Sequence, residues 1–101
     1  MPLTIRLQTE NGHLLKQIGD LDDALVRLAL REGSRLRIAH TIDPYGDTYC
    51  NYLQIPLLLD DLRTILAGGA SLKEAEIIGE IEALAHEARS EPHLYLVFVG
   101  D

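Results

Sequence analysis

Apolar and polar side chains alternate strictly at the start of the chain. Leu3, Ile5 and Leu7 are interleaved with Thr4, Arg6 and Gln8, the period-two pattern of a strand with one buried face. Asn11-Gly12 follows, a pair that tolerates the positive φ of a tight hairpin turn, so His13 to Ile18 is expected to return as a second strand. Leu14-Leu15 interrupts the alternation there. The period then lengthens. Leu21, Ala24, Leu25 and Leu28 fall on one face of a helix, with Asp20 as its cap, Asp22 and Asp23 in its first turn, Arg27 and Arg31 in its last, and Gly33 beyond it. From Arg35 to Ile42 alternation returns. It predicts a strand with Leu36, Ile38, His40 and Ile42 on the apolar side and Arg35, Arg37 and Thr41 on the other. Asp43-Pro44-Tyr45-Gly46 places Asp, Pro and Gly at the first, second and fourth positions of a turn. Thr48 to Leu53 is rich in β-branched and aromatic residues, so Arg35 to Leu53 is expected to form a second hairpin.

Two helical stripes come next. Pro56 suits a first turn, and Leu58, Leu59, Leu62, Ile65 and Leu66 keep helical spacing up to Gly68-Gly69. Ser71 and Glu74 form a capping box ahead of Ile77, Ile78, Ile81, Leu84, Ala85 and Ala88, on a helix ending before Pro92. His93 to Val99 is apolar on both faces, as a central strand would be. Hairpins and helices are mixed without regular β-α alternation, which points to the α+β class. The expected architecture is an antiparallel-rich sheet built from two hairpins and a central C-terminal strand, with three helices packed on it, as a single domain over residues 1–101.

Composition supports one packed core, with 47% hydrophobic and 25% charged residues. No apolar run approaches the roughly 20 residues that span a bilayer, so no membrane association is expected. The first residues lack the order of a secretory signal, and Cys50 is a lone cysteine, which together suggest the cytoplasm. A net charge of −7 argues against a nucleic-acid partner, whose phosphates require a positive stripe. It suits either a basic protein partner or simple solubility.

Candidate chemistry is sparse. His40, Asp43 and Asp47 supply imidazole and carboxylate within one segment and could serve a small metal-dependent hydrolase. Their spacing matches no metal motif, and neither metal nor cofactor is expected. Cys50, Ser34, Ser71 and Ser90 lack a base at any recognised spacing. Neighbouring residues on a helix project in different directions, so Asp22-Asp23 is expected to compensate a helix dipole and Asp60-Asp61 to form a solvated face. The chain is therefore expected to bind and not to catalyse. Asp43 to Tyr52 gathers three of the four tyrosines with two acids, and tyrosine is enriched at protein interfaces. Asp43, Tyr45, Asp47, Tyr49, Asn51 and Tyr52 are the candidate partner-binding residues; the alternative is that alternate tyrosines only cover the sheet.

The run Asp43-Pro-Tyr-Gly-Asp-Thr, followed by Asn51 and Gln54, then two helices and the terminal Leu94-Tyr-Leu-Val-Phe-Val-Gly-Asp101, resembles small bacterial immunity proteins encoded beside secreted polymorphic toxins. The resemblance covers about the last two-thirds of the chain and carries over no catalytic residue. It implies an inhibitor whose partner is a toxin domain. Asp43 and Asp47 would meet basic residues or mimic phosphate, with Tyr45, Tyr49 and Tyr52 as anchors. A homodimerising scaffold, paired through an exposed strand edge, is the remaining expectation.

Overall fold

A computed structural model describes residues 3–20 and 22–100. The elements are β1 (Leu3–Thr9), β2 (Leu14–Asp20), α1 (Ala24–Glu32), β3 (Asp47–Cys50), α2 (Ile55–Ala67), α3 (Leu72–Arg89) and β4 (Leu94–Val99). Short 3-10 turns occupy Gly33–Arg35 and Ala39–Thr41. The four strands form one antiparallel sheet in the order β2-β1-β4-β3, so the C-terminal strand is central and the class is α+β.

The first hairpin turns where Asn11-Gly12 predicts, but in the three-residue form. The Gly12 N–H donates to the Thr9 carbonyl at 2.9 Å and the Thr9 N–H donates to that of His13 at 3.0 Å. Only Gly12 takes positive φ, at 85°, the left-handed position that closes such a loop. The broken alternation at Leu14-Leu15 has a cause in the register. Leu7 pairs with Lys16 and Gln8 with Leu14, so Leu15 is left over as a bulge.

One face of the sheet builds the core. Ile5 lies opposite Phe98 and Leu7 opposite Leu96. They pack in one buried cluster with Leu25 and Leu28 of α1, Leu58, Leu62 and Ile65 of α2, and Ile78, Ile81 and Ala85 of α3. Each large aliphatic side chain buried this way contributes about 1.5–3 kcal/mol. Thr4, Arg6, Gln8, Tyr95, Val97 and Val99 alternate with these core positions on β1 and β4, and no helix covers their face among the described residues.

The segment from Arg35 to Ile42 is not a strand. Its alternation is real, because Leu36, Ile38 and Ile42 are buried, but they plug a loop into the core and do not line a sheet. Asp61 explains the difference. Its Oδ1 accepts from the Arg37 N–H at 2.8 Å, and its Oδ2 accepts from the N–H groups of Ile38 and Ala39 at 2.7 Å each. Three donors that a sheet ladder would need are thus tied to α2. His40, expected to face inward, is exposed on the second 3-10 turn. β3 pairs with β4 instead, with Thr48 opposite Phe98.

The first helix also starts later than its pattern suggests. Asp20, 1% exposed, caps it from the end of β2, accepting from the Ala24 N–H at 2.9 Å and the Leu25 N–H at 2.8 Å. Asp23 precedes the helix in the left-handed region at φ 51°, so neither Asp22 nor Asp23 lies in the first turn. Leu21, assigned to the apolar face, lies outside the described residues, as do Met1, Pro2 and Asp101.

Candidate functional site

The Asp43 turn is built by its own side chains and then fastened to the sheet. Asp43 Oδ1 accepts from the Tyr45 N–H at 2.8 Å, and the Asp43 N–H donates to Thr48 Oγ1 at 3.0 Å. The Gly100 N–H donates to the Gly46 carbonyl at 2.7 Å. The approach is so close that a Cβ on Gly100 would sit 2.6 Å from Pro44 C and Gly46 O. The turn is therefore held against the end of β4, and its tip carries Tyr45, 80% exposed.

β3 then divides its side chains between two faces. Thr48 and Cys50 are partnered by the core residues Phe98 and Leu96, while Asp47 and Tyr49 are partnered by Val99 and Val97 on the helix-free face. The Tyr49 ring meets Tyr95 edge-on, with centroids 6.4 Å apart and planes at 78°, a favourable aromatic geometry. Val97 is flanked in register by Arg6 and Tyr49 and is only 2% exposed, although it lies outside the core cluster. Arg6 Nε is buried with no hydrogen-bond partner among the described residues.

Asn51 serves the next helix. Its Oδ1 accepts from the N–H groups of Leu53 and Gln54 at 3.0 Å each, and Gln54 Oε1 accepts from the Asn51 N–H at 2.9 Å. That is a reciprocal cap on the turn that leads into α2, similar in form to the predicted Ser71-Glu74 box that opens α3. Tyr52 is exposed in the turn leading into α2. Of the six candidate residues, Asp47 and Tyr49 lie on the helix-free face, Asp43 and Tyr45 on the adjoining turn, and Asn51 in a cap. Tyr95 and Val97 share that face without having been expected there. Their pattern of continuous apolarity hides which side each takes until the register with β3 is known.

The other chemical candidates resolve into structural roles. His40, Asp43 and Asp47 form no group able to hold a metal ion among the described residues. Burial, and secondarily the charge of Asp61, push the Cys50 thiol up to about 11, so it stays protonated and weakly nucleophilic at neutral pH. Asp61 is buried at 2% exposure, which corrects the expectation of a solvated pair; only Asp60 is exposed. Asp22 pairs with Lys73 at 3.1 Å, and Arg27 pairs with Glu74 at 2.9 Å, across a cleft of about 510 Å³ between α1 and α3. The Ser71 backbone N–H first, and the Arg27 guanidinium second, hold the Glu74 carboxyl below the usual range.

No helix among the described residues is long and apolar enough to cross a membrane. No protein-family model, curated protein or solved structure matches this chain.

Proposed function

We propose that this chain is a binding protein of the immunity type, which neutralises a bacterial toxin domain by docking the Asp43–Tyr49 turn and strand against it. The observation that carries this reading is the placement of Tyr45 and Tyr49, 80% and 53% exposed, beside Asp43 and Asp47 at one edge of a helix-free sheet face. Aromatic rings held by a fixed turn and an edge-on stack present contact area at little entropic cost. The acids add attraction for a basic surface and speed the encounter. Beneath this edge, Arg6 Nε is a buried donor without an acceptor among the described residues.

The test is a paired measurement of affinity and melting temperature, against any toxin domain that sequencing finds encoded beside this gene. Tyr45→Ala is expected to weaken binding by about 2 kcal/mol or more, roughly 30-fold, because interface energy concentrates in aromatic anchors. Its melting temperature should barely move, since exposed substitutions stay within about 0.5 kcal/mol. Asp47→Ala should mainly slow association and reduce its salt dependence. Unchanged affinity in both variants would sink the proposal.

A further inference from the structure

A second surface concentrates basic side chains. A pocket of about 420 Å³ between the loop that follows α1 and the flank of α2 is lined by Arg35, Arg37, Arg63, Asp60, Asp61 and Thr64. Three of the chain's nine basic residues therefore line one concavity of a molecule whose net charge is −7. Their placement is not incidental. Buried Leu36 anchors the loop, and the Asp61 carboxylate grips it at the Arg37 N–H, so Arg35 and Arg37 are held on either side of that anchor, next to the helix that carries Arg63.

The guanidinium groups are largely unspent. Among the described residues Arg37 and Arg63 form no ion pair, and Arg35 has a single long one, 3.4 Å to Glu32 from a side chain 74% exposed. Stabilising the C-terminal carbonyls of α2 would be the simplest use for cations here. That role belongs to Arg31, which donates to the carbonyls of Ile65 at 2.9 Å and Gly69 at 2.6 Å. Asp61 keeps its charge, but its oxygens already accept three backbone donors and, among the described residues, are not paired with the arginines. Asp60 is left as the one exposed acid among the lining residues.

We propose that this pocket binds a phosphoryl group through Arg35, Arg37 and Arg63. Planar guanidinium forks match oxyanions bidentately. Three forks suit the three terminal oxygens and double charge of a phosphate monoester better than the two oxygens and single charge of a carboxylate. The site is distinct from the tyrosine edge, and its test is independent of any toxin.

Inorganic phosphate is titrated against the intact chain at constant ionic strength, following the Nε–H signals of Arg35, Arg37 and Arg63, with Arg89 as a control. Saturable shifts confined to the first three are expected at millimolar concentration. Binding should weaken at least 10-fold in the Arg37→Ala, Arg63→Ala double variant, and it should be tighter at pH 8 than at pH 5, because phosphate gains its second charge between those values while arginine does not titrate. An Arg37→Lys, Arg63→Lys variant keeps the charge, loses the forks and should bind with intermediate strength. It also replaces the alanine variant if that fails to fold. AMP and O-phosphoserine distinguish a nucleotide from a phosphorylated side chain as the source. Equal, unsaturating shifts at Arg89, undiminished binding in the double variants, or acetate binding as tightly as phosphate would each overturn the assignment.

Discussion

Two carboxylates show how much of this fold rests on single residues. Asp20 and Asp61 are nearly fully buried, and each spends its oxygens on backbone N–H groups of a neighbouring segment. Asp61→Ala would orphan the N–H groups of the buried Ile38 and Ala39, at about 1–3 kcal/mol each. We expect a loss of about 3 kcal/mol and a melting temperature lower by about 12 °C or more, with smaller losses for Asp61→Asn, which retains one acceptor oxygen. Thermal unfolding of the two variants side by side checks this. Cys50 gives a second residue-level expectation, with a sign set by its raised ionisation. In the unfolded chain the thiol ionises near its ordinary value of 9.0, and in the folded one only at about 11. The folded state therefore holds the proton longer. Its contribution is intact below pH 9 and is lost as the pH climbs toward 11. Stability measured across that window should fall less steeply in Cys50→Ala than in the parent chain.

Among the elements, the two long helices begin in a similar way from different residues. Ser71 with Glu74 opens α3, and Asn51 with Gln54 closes the turn that runs into α2. Ser71→Ala should cost about 1 kcal/mol, the ordinary value of an N-cap. Asn51→Ala should cost at least as much, because the half-buried Asn51 satisfies two N–H groups and also joins β3 to α2. Chemical denaturation of both variants gives the comparison, and a loss smaller at Asn51 than at Ser71 would contradict this account of the cap. The same cap bears on partner binding. Asn51 is committed to the helix, so its substitution should lower stability while leaving affinity for a partner unchanged once the protein is folded.

For the molecule as a whole, the proposed binding edge depends on a contact between the two ends of the Asp43–Gly100 interval. A side chain at Gly100 would strike the backbone of Pro44 and Gly46 at 2.6 Å. Gly100→Ala should therefore displace the Asp43 turn, shift the backbone amide resonances of Tyr45 and Gly46, and reduce partner affinity without touching a contact residue; an unshifted turn would mean that the close approach is not what positions it. The chain's own patterning determined most of the elements: the first hairpin, three amphipathic helices, the Ser71 box, the turn at Asp43 and the central place of β4. These are legible because periodicity, caps and turn chemistry act over a few residues. The tertiary structure decided what local patterns leave open. Alternation from Arg35 to Ile42 marks buried positions equally well in a strand or an anchored loop, and only the arrival of Asp61 from α2 diverts its N–H groups from a ladder. Which tyrosines share a face, and that three arginines meet at one pocket, likewise depend on pairings between segments distant in the chain. Contacts of that kind follow from register and packing, to which no short stretch of sequence has access.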